Sequence, residues 1–447
     1  MRELQESAPP SRYLDVLRAG HGIALLALTL LLIGVVFVNS AEVTVARDTR
    51  TTLSAVLFDR HTIFAIASMG CLLVGMVLPV ERIASWSGWR SPLVWATGLS
   101  LLGLLAVHVP GLGKEVNGAS RWVSLGPLTF QPSELAKWLM PIGLAWYIAR
   151  TGERMQRFVP GFLLPMAVVG IVALGIAGEA LGTAVLVTGV AVIMLLAGGA
   201  RIWNALAFLP VGVAGFVALV FISPYRLKRI FSVLDPYSDP QGSCYHIIQS
   251  MGAISGGGVA GRGLGNSVQK FGYLPEGTTD FIYSIICEEM GLLGAVAVLL
   301  LYVGLVWCIV QVVSSRVATA SVADDASAGD GTAAASATGS RPALDPMSRV
   351  LALGIGATVG LQAVINVVVV TGMAPTKGIA LPLISRGGTG WMMTALCLGM
   401  VIAMDRRVAR LEAHGLDAGE PVRSGDEAAI GNSFEEGGGS LPEPAEP

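Results

Sequence analysis

The chain has 447 residues, of which 53% are apolar and only 13% charged, with a net charge of −2. Soluble domains carry about 25% charged residues, so this composition excludes an ordinary soluble domain, and the near-neutral balance gives no footprint for a nucleic-acid partner. The five cysteines, Cys71, Cys244, Cys287, Cys308 and Cys397, fall mostly inside apolar runs and form no CxxC pair, so neither a disulfide framework nor a zinc site is indicated.

Mean hydropathy is +0.67, and apolar runs of about 17 to 22 residues recur from Gly22 to Met404. Such runs match a bilayer core about 30 Å thick, and they are continuous rather than alternating, which selects helices over a β-barrel. The expected fold is an all-α polytopic membrane protein. Residues 1–21 form an N-terminal segment, 22–410 a ten-helix membrane domain, and 411–447 an acidic, Gly/Pro-rich disordered tail. The ten spans fall at roughly 22–40, 61–79, 93–109, 133–149, 160–177, 182–198, 204–222, 279–313, 347–372 and 387–404. The first span lacks a small-residue cleavage site and reads as a retained helix. Arg150, Arg154 and Arg157 follow the fourth span and Arg406, Arg407 and Arg410 the tenth. The positive-inside rule then makes that side, and both termini, cytoplasmic.

Between these spans lie the segments that carry chemistry. The outer loop from Pro110 to Gln131 contains Arg121 beside Trp122, a headgroup or phosphate contact or an interfacial anchor. Pro132 suits a first helical turn, Glu134 favours its positive end, and Glu134 and Lys137 share a face three residues apart. That pair reads equally as a structural ion pair or as catalytic machinery.

Residues 223–278, between helices 7 and 8, make an outer loop too long for a simple connector. Within it, Tyr245–Met251 is apolar enough for a re-entrant or interfacial helix. Arg226, Lys228, Arg229, Arg262 and Lys270 make a basic outer surface suited to a pyrophosphate. The glycines at 256–258, 261, 263 and 265 could cradle phosphate or permit close packing; with no βαβ unit a Rossmann site is rejected.

The stretch Tyr273-Leu274-Pro275-Glu276-Gly277-Thr278-Thr279-Asp280-Phe281-Ile282 places an aspartate at the mouth of the eighth helix, expected over about 279–313. An ionisable residue at a membrane boundary is costly and points to function; the bland alternative is a helix N-cap. Asp280, Ser284 and Glu288 recur every four residues and would share a helical face. Residues 314–346 read as a disordered inner linker rich in Ala, Ser, Asp and Gly. The last block, from Gly372 to Gly390, contains Lys377, Ser385 and Arg386 on Pro- and Gly-rich backbone. Irregular backbone at membrane depth survives only where protein or a wet cavity satisfies it, so this block is expected to form the wall opposite Asp280.

These three blocks, in this order and spacing, resemble the FtsW/RodA/SpoVE (SEDS) family of bacterial peptidoglycan glycosyltransferases, over residues 110–404. Gly265-Asn266-Ser267-Val268-Gln269-Lys270 followed by Tyr273-Leu274-Pro275-Glu276 is closer to FtsW and SpoVE than to RodA. The resemblance implies ten transmembrane helices in the bacterial plasma membrane, polymerisation of lipid II at the outer face, and a role at the division septum. It implies that Asp280 is the essential aspartate and general base. Arg121, Glu134, Lys137, Arg226, Arg229, Lys270, Lys377 and Ser385 are the candidate substrate-binding residues. Charge on the pyrophosphate would be met by basic side chains or a divalent cation (Mg or Mn). A class B penicillin-binding protein, an FtsI-like transpeptidase, and other divisome proteins are the implied partners. A lipid II flippase and an inactive divisome scaffold are the rival readings. The chain departs from the family at Thr278, where a histidine is common, at Ala180, usually aspartate, and at Arg386, usually Tyr or small.

Overall fold

A computed structural model describes residues 18–42, 60–110, 112–116, 119–125, 128–178, 180–242, 244–274, 276–319, 339–342, 344–376 and 378–414. Helices dominate. In chain order they are α1 (Ala19–Glu42), α2 (Arg60–Gly75), α3 (Val80–Ala84), α4 (Pro92–Ala106), α5 (Pro132–Thr151), α6 (Leu164–Ala177), α7 (Leu181–Ala197), α8 (Ile202–Phe221), α9 (Pro224–Leu234), α10 (Tyr245–Gly257), α11 (Ile282–Ser314), α12 (Pro346–Val370) and α13 (Gly388–His414).

Among the described residues, six segments are long and apolar enough to cross a membrane: Ala19–Glu42, Val159–Ala177, Ile202–Phe221, Ile282–Ser314, Pro346–Val370 and Gly388–Leu411. α2, α4 and α7 are apolar but shorter. α5 has the length, at 20 residues, but carries Glu134 and Lys137. Each expected span therefore has a helix over it, while only six meet the length and apolarity of a free-standing crossing. Polar residues inside α5 and the shortness of α2, α4 and α7 are tolerable because these helices pack on neighbours. α8 is the opposite case. Its apolar window is only 6% buried, and Leu206, Leu209, Val213, Phe216 and Val217 are all exposed. A helix apolar all round and bare of protein needs a hydrocarbon solvent.

The core sits around α12, which packs against α5, α7 and α11. Trp138, Met140 and Leu144 of α5, Leu186 and Met194 of α7, and Leu351, Ile355 and Val359 of α12 are fully buried. A β-carbon on Gly354 would stand 2.6 Å from the Met194 sulfur, so the bare glycine sets how closely α12 approaches α7.

The all-α expectation needs correction in the loop of residues 110–131. This loop folds into an antiparallel sheet of β1 (Gly113–Val116), β2 (Ala119–Leu125) and β3 (Leu128–Phe130), ordered β1-β2-β3. The alternation in Trp122-Val123-Ser124-Leu125 suits a strand over an apolar surface, and Val123 is buried. Register slips between Lys114 and Glu115, since Trp122 and Ser120 pair with these two and Arg121 falls between as the bulged residue.

The residue 223–278 stretch is likewise not a plain loop: it carries α9 and α10, and α10 packs against α11 and α12. The apolar 245–251 stretch is thus helical, and α10 extends it to Gly257. The expected start of the eighth span also shifts: α11 begins at Ile282, leaving Asp280 in the preceding turn. α11 is not continuous. Gly291 (φ 64°, ψ −161°) breaks it, in a conformation open only to glycine. The broken ladder is completed by the loop after α10. Arg262 and Gly263 N–H donate to the Glu288 and Glu289 carbonyls at 3.0 and 2.9 Å, and Leu292 N–H donates to Gly258 O at 2.9 Å.

The described residues of 315–345 and 407–414 belong to a second unit. In it, strands Arg316–Thr319 and Gly339–Pro342 pair antiparallel, so the ends of the expected disordered linker are ordered. Residues 320–338 and the tail beyond 414 lie outside the described residues.

Candidate active site

The Asp280 turn is built by its own backbone. Thr279 and Phe281 N–H both donate to Glu276 O, at 3.1 and 3.2 Å, and the Thr279 hydroxyl reaches Glu276 Oε2 at 2.6 Å. Glu276 sits at φ 60°, a left-handed conformation costly for a residue with a β-carbon. Asp280 is half-buried there rather than on the helix. The expected shared face of Asp280, Ser284 and Glu288 is therefore not formed. The Ser284 hydroxyl pairs with Ser250 of α10 at 2.7 Å, while Glu288 takes the Ser267 hydroxyl at 2.5 Å and the Val268 N–H at 3.1 Å.

Opposite the turn lies the irregular segment 378–387. Its backbone polar groups are met by buried side chains, as irregular backbone in an apolar setting demands. Gln362 Nε2 donates to Ala380 O at 2.6 Å, and Tyr302 Oη donates to Pro382 O. Asn366 Nδ2 donates both to Ile379 O and to Asp280 O, each at 2.8 Å, so one buried amide of α12 joins the two sides. Arg386 N–H donates to Thr278 O at 2.8 Å, a second tie. A β-carbon on Gly378 would stand 3.1 Å from Asp280 Oδ2, so glycine leaves the space in front of the carboxylate. Leu383 holds φ 62°, a second strained residue at the site. α1 backs this segment closely, a β-carbon on Gly34 falling 2.6 Å from Leu383 O.

The Glu134–Lys137 pair forms as the spacing suggests. Lys137 Nζ lies 2.6 Å from Glu134 Oε2 and 2.9 Å from Gln362 Oε1, with Lys137 2% exposed. Gln362 thereby links the pair to Ala380, and Glu134 abuts α13, a β-carbon on Gly390 falling 3.3 Å from its Oε2. Gln362 and Asn366 have no counterpart among the expected site residues. Their only sequence signal is two amides at i, i+4 in an otherwise apolar helix.

Of the expected basic outer surface, Arg226, Arg229, Arg262 and Lys270 make internal ties, while Lys228 is exposed. Arg226 donates to the carbonyls of Leu219, Ala177 and Gly178 at 3.0, 2.5 and 3.1 Å. Arg229 donates to Thr376 O at 2.7 Å and stacks over Tyr225. Arg262 meets Glu288 at 3.2 Å. Lys270 is buried, 2.5 Å from Gly265 O and 3.8 Å from Glu289 Oε1. Arg226, Arg229 and Lys270 hold the 223–278 stretch by ties within the chain, because a buried or half-buried charge binds whatever carbonyl or carboxylate replaces water, and the exposed Arg262 adds its pair with Glu288. The glycine run serves close packing: a β-carbon on Gly257 or Gly261 would collide with the Cys287 or Glu289 carbonyl. Ser385 is buried and its hydroxyl accepts from Leu381 N–H at 2.6 Å, an internal cap. Arg121 lies at the β2 bulge, and Lys377 lies outside the described residues.

The chain is similar to a family described as cell cycle proteins, FtsW/RodA/SpoVE, over residues 21–322 and 334–410. It is 37% identical over 396 residues to the "Probable peptidoglycan glycosyltransferase FtsW" of Nitrosococcus halophilus, covering 88% of this chain and 92% of that one. A protein of the same name from Halomonas elongata is 37% identical over 384 residues, covering 85% and 88%. Among solved structures, a chain from "Structural coordination of polymerization and crosslinking by a peptidoglycan synthase complex" shares the fold with a TM-score of 0.57. That chain is 24% identical, and the match covers 87% of this chain and 97% of that one. The chain belongs to the FtsW/RodA/SpoVE family of cell cycle proteins.

Proposed function

We propose that this protein is a peptidoglycan glycosyltransferase of septal wall synthesis, polymerising lipid II at the outer face of the bacterial plasma membrane. Its ten apolar helices, α1, α2, α4–α8 and α11–α13, cross the membrane, with both termini cytoplasmic. The observation that carries the reading is the half-buried Asp280, held at a helix mouth between the Asn366 amide and the bare Gly378 in a chain of this family.

The reaction joins two lipid-linked disaccharides. The sugar 4-hydroxyl of one attacks the anomeric carbon of the other, and undecaprenyl pyrophosphate leaves. Asp280 accepts the hydroxyl proton, which a positioned carboxylate can do, and the phosphoanhydride leaving group needs no general acid. It needs charge neutralisation, for which Arg121 and Lys377 are the candidates, since Arg226, Arg229 and Lys270 are committed to internal carbonyls and carboxylates. A divalent ion accompanying the pyrophosphate would meet Asp280; among the described residues no three His, Cys, Asp or Glu side chains gather as a metal site. Cross-linking of the strands falls to a class B penicillin-binding protein docked alongside, with other divisome proteins.

The test is lipid II polymerisation by purified protein with its cognate transpeptidase, comparing wild type, Asp280→Ala and Asp280→Asn. Glycan chains from wild type and none from either variant, at equal folding and partner binding, support the reading. Undiminished chains from Asp280→Asn overturn it.

A further inference from the structure

Arg386 occupies a position the mechanism does not use. Its backbone N–H donates to Thr278 O, two residues before Asp280. Its guanidinium reaches the other way: Nη1 lies 3.0 Å from Glu42 Oε1, at the last residue of α1. The same Oε1 lies 3.0 Å from His61 Nε2, at the start of α2, and His61 is buried. Two residues further on, α2 and α13 approach closely: a β-carbon on Gly388 would stand 2.7 Å from the Phe64 ring, which in turn carries Arg60 over its face at 5.5 Å. The outer ends of α1 and α2 are thus tied to the first turn of α13, and through one peptide N–H to the aspartate turn.

We infer that the Glu42–Arg386 ion pair, braced by His61, is a positioning device for Asp280, transmitting the placement of α1 and α2 to the turn that carries the carboxylate. Glu276 in this turn sits in a strained conformation, and Asn366 and Arg386 each tie the turn's backbone to other parts of the chain. A backbone donor is only as well placed as its residue. The Ser385–Arg386 peptide is held at its carbonyl by Trp391 Nε1, 2.6 Å from Ser385 O, and the Glu42 pair adds a second anchor through the Arg386 side chain, between the strained Leu383 and Gly387-Gly388. Arginine suits the role, since its planar fork keeps a fixed angle to a carboxylate where a lysine would swivel. Loss of the pair moves the carboxylate relative to the attacking hydroxyl, so it lowers kcat and leaves KM close to its wild-type value; a misplacement near 1 Å can cost about a hundredfold.

This inference rests on the assignment of Asp280 as base, and the experiment separates the two. Lipid II polymerisation is measured with Glu42→Gln, Arg386→Gln, the double variant, and the exchanged pair Glu42→Arg/Arg386→Glu, with Asp280→Asn beside them. Amide hydrogen exchange over residues 276–281 is followed in the same proteins. The expected result is a kcat loss of at least tenfold in each single variant with KM within twofold. The double variant is expected to be no worse than either single, exchange at the turn faster in all three, and both effects partly reversed in the exchanged pair. Single variants within twofold of wild type, losses that multiply in the double variant, or unchanged exchange at the turn overturn the inference. Asp280→Asn decides separately: if it stays active, the assignment of the base fails, whatever the pair does.

Discussion

Replacing Lys137 tests whether the pair inside the helix bundle is structural or functional. Its ammonium is 2% exposed and makes two charge-assisted hydrogen bonds, 2.6 Å to Glu134 and 2.9 Å to Gln362. Lys137→Met preserves length and removes both. It strands the Glu134 carboxylate, whose side chain is 19% exposed, and the buried Gln362 oxygen. Removing one partner of a buried pair costs about 3–5 kcal/mol, and the partial exposure of Glu134 places the cost near the lower end, about 3 kcal/mol. Replacing both charges removes the stranded carboxylate, so Glu134→Leu/Lys137→Met is expected within about 1 kcal/mol of wild type. Reversible unfolding by SDS in mixed micelles, followed by tryptophan fluorescence, reads both values. A loss below about 0.5 kcal/mol in Lys137→Met, the range of ordinary surface changes, would refute the reasoning. Polymerisation by the double variant then assigns the role. Activity restored along with stability makes the pair structural. Stability restored without activity makes it part of the catalytic machinery.

Gly291→Ala is expected to cost about 2–4 kcal/mol, since φ 64° with ψ −161° strains any side chain and the new methyl would stand 2.5 Å from Val259 O. Faster amide exchange at Leu292 and Leu293 would register the opened break, and wild-type protection there would contradict the account. Glu288→Ala releases the Ser267 hydroxyl, the Val268 N–H and Arg262 together, so trypsin should cut the 261–270 segment several-fold faster in proteoliposomes; an unchanged rate would show that the segment is held elsewhere. Gly34→Val drives a branched side chain into Leu383 O, 2.6 Å from the β-carbon position, and should lower polymerisation about tenfold or more by shifting the wall opposite Asp280. Full activity in that variant would show that the segment 378–387 tolerates movement.

Long apolar runs fix helices because a bilayer admits no unpaired backbone, so the long apolar helices could be read in order from the sequence, while α3 and α9, which are short or polar, could not. Asp280 was legible for the same reason: a carboxylate beside an apolar run is costly, and the local sequence states that cost. Glu134 and Lys137 were legible as a pair because a helix brings i and i+3 together whatever the tertiary structure.

What no local pattern carried was the partner of each polar group across the chain. Lys137 meets Gln362, Asp280 shares Asn366 with Ile379, and Arg229 meets Thr376, contacts 225, 86 and 147 residues apart for the bonds that define them. A buried donor takes whichever acceptor packing delivers, and packing follows from the whole set of helix contacts. The same holds for the basic residues of the outer segment. Their charge suggested a surface for a pyrophosphate; the fold spends that of Arg226, Arg229, Arg262 and Lys270 on carbonyls and on Glu288 and Glu289, and leaves Lys228 exposed. The break at Gly291 shows the division most plainly. The glycine is visible in the sequence, yet only the loop from Gly258 to Gly263, folded back against it, supplies the hydrogen bonds that let a helix stop and resume.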